Sequence, residues 1–145
     1  MADTTITSAN SILYLTVPLL FQSPTRIYGY ATDKAFATEA LELAVVEMGV
    51  DGRMTAGYTP NPVTQTISLQ ADSPSRSIFT TITQASKTAR EIYYITGSLS
   101  LPSTGESFSM TRGVLTSTQQ IPDAGKVLQS IDYVITWESV NASLL

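Results

Sequence analysis

Apolar and polar residues alternate most cleanly near the end of the chain. Ile131, Tyr133, Ile135 and Trp137 fall on one side of an extended backbone, and Ser130, Asp132, Thr136 and Glu138 on the other, with Val134 the exception. Successive side chains of a strand point to opposite faces, so this period of two predicts a half-buried strand. Val127 extends the apolar face backwards. The segments 91–101 ("EIYYITGSLSL") and 106–116 ("ESFSMTRGVLT") mix aromatic and β-branched residues with Ser and Thr around a "PSTG" turn, which predicts a second strand pair. Phe108, Met110 and Val114 share a face there, and Arg112 is the odd member. Nearer the start, "SILYLTV" reads as a strand and "RIYGYAT" as a shorter one.

The period changes at "DSPSRSIFTTITQASKTAR". Ser73 followed by Pro74 reads as an N-cap and first helical residue, since the hydroxyl can serve orphan amides and proline presets φ. Ile78, Ile82 and Ala85 then form a helical stripe, and Lys87 and Arg90 complement the negative end of the helix dipole. This predicts one substantial helix, over about residues 74–89.

"ELAVVEMGVDGRMTAGY" (42–58) admits a helix over Glu39–Met48 on propensity alone, but Asp51-Gly52 is a two-residue type I′ turn signal and Gly49 and Gly57 disfavour a helix. We therefore expect a long hairpin over about 39–59, with Val50 opposite Arg53, Met48 opposite Thr55 and Glu47 opposite Ala56. Val46, Met48 and Val50 lie on one of its faces and Leu43, Val45 and Glu47 on the other. Both faces are largely apolar, whereas a sheet in a lone small domain turns one face to water. Both should be covered: one by the domain's own core, the other by the helix or a neighbouring subunit.

Composition then removes most chemistry. The chain has 145 residues, no Cys and no His, so thiol nucleophiles, disulfides and the commonest general base and transition-metal ligand are all missing. Its length suits a single domain, 1–145. A net charge of −4, with eight scattered basic residues, argues against binding a phosphate backbone. Ser and Thr make up about a quarter of the chain, which favours strands and a weakly charged, association-prone surface. The acidic residues are dispersed singly and no catalytic pair, phosphate loop, Ser-x-x-Lys or calcium-loop spacing can be named. We expect no enzyme, no catalytic residues, no metal and no cofactor. The apolar run Ile12–Phe21 is too short to span a membrane and is interrupted by Pro18, and "MADTT" is unlike a signal peptide start, so synthesis in the cytoplasm without a membrane anchor is expected.

Two charged sets carry a sharper reading beside the plain one. Asp132, Glu138 and Glu42 form either ordinary solvated faces or the wall of an acidic channel that repels a passing polyanion. Arg112 either snorkels from an apolar face or pairs with an acid across a subunit boundary.

The segments "ELAVVEMGVDGRMTAGYTPNPVTQTISLQADSPS" (42–75), "LPSTGESFSMTRGVLTS" (101–117) and "IPDAGKVLQSIDYVITWESV" (121–140) resemble, in order, the tail tube proteins of contractile-tailed bacteriophages. The resemblance implies a mainly β, sandwich- or barrel-like tail-tube domain with one flanking helix. It implies hexameric rings of this chain stacked into an inner tube, with a sheath protein outside and baseplate or tube-initiator proteins at its end. The tape-measure protein and phage DNA would pass through the lumen without specific binding. The protein would be made in the host bacterial cytoplasm and reside in the virion. On that reading Glu42, Asp132 and Glu138 are lumen candidates, and Val46, Met48, Arg53 and Met54 are subunit-interface candidates. A competing reading is a monomeric ligand- or carbohydrate-binding β-sandwich with a groove carrying Tyr28, Tyr30, Tyr93 and Tyr94.

Overall fold

The computed structural model describes residues 11–28, 36–102 and 104–144. The described chain is mainly β: a large antiparallel sheet, a separate hairpin and one helix, without a closed barrel. In chain order the elements are β1 (Ile12–Val17), β2 (Phe21–Arg26), β3 (Phe36–Thr38), β4 (Ala44–Met48), β5 (Met54–Tyr58), β6 (Val63–Leu69), α1 (Arg76–Ala89), β7 (Ile95–Leu101), β8 (Glu106–Thr118) and β9 (Ile131–Leu144). Seven strands pair in the order β2-β1-β7-β8-β9-β6-β3, and β4 and β5 pair only with each other.

The alternation at the chain's end builds the core. Ile131, Tyr133, Ile135 and Trp137 are all buried, in one cluster with Leu13, Leu15, Ile67, Leu69 and Ile95 from other strands of the sheet. Helix α1 closes part of this face with Ile78, Phe79 and Ile82, and the Phe79 ring stacks on Tyr133 with centroids 4.2 Å apart. The largest buried side chain, Trp137, lies where two strands offer glycine. A Cβ on Gly113 would stand 2.4 Å from the indole, and one on Gly97 2.9 Å from it. The indole N–H donates to Oε1 of buried Gln65 at 3.0 Å, which satisfies both polar groups in the core.

Several expectations change. Strand β8 does not keep one parity. Phe108 and Met110 face the core, but so do Gly113 and Leu115, because β8 holds an extra residue against β7 and Arg112 takes φ 47°. Val114 therefore leaves the Phe108 face. Strand β9 makes the matching step, with Trp137 and Val140 both inward and Glu138 and Ser139 both outward. The two strands thus kink together at Thr111-Arg112 and Glu138-Ser139. Val127 does not extend β9 backwards: a tight reversal, with an Ala124–Leu128 bridge and Gly125 N–H bonded to Val127 O at 3.0 Å, leaves it exposed.

The helix begins at Arg76 with Ser75, not Ser73, as its N-cap. Ser73 Oγ still accepts from the Ser75 N–H at 3.3 Å, as expected of it, and both serine hydroxyls also serve the strand side. Ser73 Oγ donates to Tyr28 O at 2.5 Å, and Ser75 Oγ accepts from Tyr28 N–H at 2.7 Å. Pro74 sits between two buried serines that clip the helix start to the chain after β2. The "RIYGYAT" strand is not found where it is described: Arg26 ends β2 and Ile27-Tyr28 follow outside it, while 29–32 lie outside the described residues.

Candidate functional site

The hairpin exists, and the helical alternative at Glu39–Met48 does not. Its turn is wider by one residue than the Asp-Gly signal predicts. Gly49 N–H bonds Arg53 O at 2.8 Å, Gly52 alone takes positive φ (84°), and Asp51 Oδ1 accepts from Arg53 N–H at 3.1 Å. This is a three-residue loop ending in a left-handed glycine, favoured here because the Asp51 carboxylate closes on its own backbone. The register shifts by one as a result, to Met48↔Met54, Glu47↔Thr55, Val46↔Ala56, Val45↔Gly57 and Ala44↔Tyr58.

A one-residue shift moves every side chain of one strand to the other face. In the actual register Ala44, Val46, Met48, Met54, Ala56 and Tyr58 share one wholly apolar face. The other face holds Leu43, Val45, Glu47, Thr55 and Thr59. The pairs of the apolar face sit between the hydrogen-bonded positions, where opposite side chains approach most closely. All ten strand residues are exposed, with Met48 at 68% and Tyr58 at 77%. The expected cover by the chain's own core is therefore absent: the hairpin is an arm. Of the interface candidates, Val46, Met48 and Met54 come together on its apolar face, while Arg53 opposes Gly49 at the turn and falls on the other side.

The arm's root is braced. Glu39 N–H bonds Thr64 O at 2.9 Å, Thr59 N–H bonds Leu43 O at 3.1 Å, and Asn61 Nδ2 donates to Glu42 O at 2.9 Å. Pro60 and Pro62, each with fixed φ, frame that bridge on the returning strand. Beside the root opens an apolar cleft of about 310 Å³. Thr38 and Val63, the residues flanking the arm, line it together with Leu101, Phe108, Met110 and Val140. Trp137 and Gln65 form part of its floor.

On the opposite face of the sheet, hydroxyls dominate. Ser68 Oγ donates to Asp132 Oδ1 at 2.6 Å, Thr111 and Ser139 hydroxyls lie 2.7 Å apart, and Thr116 donates to Val134 O at 3.2 Å. Arg112 pairs with Glu138 at 3.3 Å within the chain and stacks on Tyr94 at 4.6 Å, a local role in place of snorkelling from an apolar face. That pair is well exposed and contributes about 0–1 kcal/mol. Asp132 and Glu138 share this face, whereas Glu42 lies at the arm root, on a different surface.

The tyrosines proposed for a ligand groove are not assembled into the cleft. Tyr28 lies under Arg26 at 5.0 Å, Tyr93 packs on the core, Tyr94 is taken by Arg112, and Tyr30 lies outside the described residues. The cleft, the Gln65–Trp137 bond and the kink have no signal in the sequence pattern beyond Gly113 and Gly97 interrupting their strands. Among the described residues, no group of three Asp or Glu could hold a metal ion, and no helix is long and apolar enough to cross a membrane.

The family model described as Tail fiber protein gp32 matches residues 4–141. The chain belongs to that family. This gp32-family chain also shares its fold with solved chains of contractile injection particles. One is from the sheath/tube terminator of an extracellular contractile injection system (PVC) in the extended state, with TM-score 0.66 and 10% identity over 99% of each chain. Another is a chain from the structure of the anti-feeding prophage cap, which terminates the tube, with TM-score 0.63 and 10% identity over 100% of this chain and 95% of that one. A third, from the PVC sheath–tube complex, gives 0.59 and 9% identity over 97% and 93%. At these identities the likeness establishes the fold. No curated protein matches the sequence. The expectation of a tail-associated protein with this architecture stands at that level.

Proposed function

We propose that this gp32-family chain is a non-enzymatic structural component of a contractile phage tail, in which copies associate through the β4–β5 arm into rings, sixfold by analogy with tail tubes, that continue or terminate the inner tube. The observation that carries the reading is the braced arm with one wholly apolar face turned to solvent. An isolated domain gains nothing from displaying Val46, Met48, Met54 and Tyr58 together, while an assembling one hides them. The fold shared with tube, cap and terminator chains supports it.

On this reading the hydroxyl-rich face of β6, β8 and β9 lines the bore. It offers DNA and the tape-measure protein neutral hydroxyls and the carboxylates Asp132 and Glu138, with Arg112 already paired, so a polyanion meets no cationic surface on which to stick. Sheath and baseplate proteins are the outer and axial partners, and the virion is the site of action. Glu42, at the arm root, belongs with the contacts between copies rather than with the bore.

The test is negative-stain electron microscopy with light scattering on the purified protein across a concentration series. Hollow rings or tubes are expected. A featureless monomer at every concentration refutes the assembly reading.

A further inference from the structure

The arm and the cleft are two unsatisfied apolar surfaces on one chain, and they are not satisfied by each other. Thr38 and Val63 place the arm's root on the cleft's rim, yet every residue of β4 and β5 is exposed and none of them lines the cleft. From Thr38 to Val50 is twelve residues, a reach of at most about 40 Å. A domain of this length has a radius of gyration of about 15 Å. The arm therefore spans about one domain, enough to reach the rim of an adjacent copy.

We propose that the apolar face of one copy's arm seats in the cleft of a second copy, with Met48 and Met54 entering between Phe108, Met110 and Val140. This rests on the self-association reading above and names its contact. The cleft volume of about 310 Å³ is twice that of the roughly 150 Å³ apolar cavity known to admit a benzene ring, so it has room for two unbranched side chains. The chemistry matches as well. Of the cleft's polar residues, Gln65 already uses Oε1 to bind Trp137, and no charged residue lines it. Methionine, flexible and polarisable, fits an irregular apolar gap beside aromatic rings. Because arm and cleft are different surfaces, each contact leaves one arm and one cleft unused. The association is head-to-tail and either closes as a ring or continues.

The chain's lack of cysteine permits a direct test. Met48→Cys and Val140→Cys variants each carry a single thiol, one on the arm and one at the cleft mouth. Mixed and oxidised, they are expected to yield mainly the heterologous dimer, and the double variant a ladder beyond dimer that Met54→Asp abolishes. Predominant Met48→Cys homodimers would show arm against arm and overturn the proposal. Absence of cross-links in a sample that light scattering shows to be assembled would overturn it while leaving the assembly reading intact. A wild-type protein that stays monomeric refutes both. Saturable binding of a fatty acid by wild-type protein, with no arm-to-cleft cross-link formed, would make the cleft a ligand site instead.

Discussion

Gly113 offers the sharpest test of how the core is packed. In the interior of a strand, replacing Gly with Ala ordinarily stabilises by about 0.5–1 kcal/mol by removing backbone freedom from the unfolded chain. At Gly57, in β5, nothing lies within 4 Å of the place a Cβ would take, so Gly57→Ala is expected to be neutral or slightly stabilising. At Gly113 the same methyl group would lie 2.4 and 2.5 Å from two carbons of the Trp137 ring and 3.0 Å from Ile135. The indole cannot retreat. It is fully buried, Gly97 already admits its far edge, and its N–H is held by Gln65. Overpacking of this kind costs about 1–3 kcal/mol. For a domain of this size the midpoint moves about 4 °C per kcal/mol, so Gly113→Ala should lower Tm by about 4–12 °C. The assay is thermal unfolding followed by Trp137 fluorescence and far-ultraviolet circular dichroism, at one low concentration so that assembly does not enter. A Gly113→Ala midpoint equal to that of Gly57→Ala would refute the packing argument.

Gln65→Leu should destabilise by about 1–3 kcal/mol because the buried indole N–H loses its acceptor; the Gln65→Leu/Trp137→Phe pair should cost less than the sum of the single changes, as a denaturant double-mutant cycle will read. Arg112→Ala should be less stable than Arg112→Gly by about 1–2 kcal/mol in urea titration, since only glycine takes the left-handed φ at the kink without cost. If Asp132 and Glu138 line a bore, Asp132→Lys with Glu138→Lys should leave ring formation intact while making assembled particles retain DNA in a salt-sensitive manner; a filter-binding assay that shows no gain removes the bore assignment.

Much of this architecture is legible in the sequence because it rests on period. The alternation from Ile131 to Trp137 needs no tertiary information, and the stripe of Ile78 and Ile82 names the helix. The errors share another cause: places where a single residue changes the count. Asp51-Gly52 marks the arm's turn, but whether the loop holds two residues or three depends on the Asp51 carboxylate reaching Arg53 N–H, and that choice rearranges both faces. The inward step from Met110 to Gly113 is hidden for the same reason. Gly113 reads as a breaker in a strand, when its missing side chain is the space the Trp137 ring occupies. For the site, the arm's residues are in view, but the cleft draws on five strands whose order no local pattern encodes.

The shared kink of β8 and β9 also constrains how this chain can change length. Between inward-facing Met110 and Gly113, and again between Trp137 and Val140, two residues stand where ordinary alternation would place one. Removing Arg112 alone would restore simple alternation to β8 but leave β9 with its extra step, and everything beyond would meet its partner with core and solvent sides exchanged. A length change here is absorbed either by a matching change in the partner strand or by a bulge, such as the one β8 already carries against β9 between Leu115 and Ser117. Among relatives too divergent to align by identity, a kink that changes length in one strand alone should therefore be accompanied by a bulge gained or lost beside it.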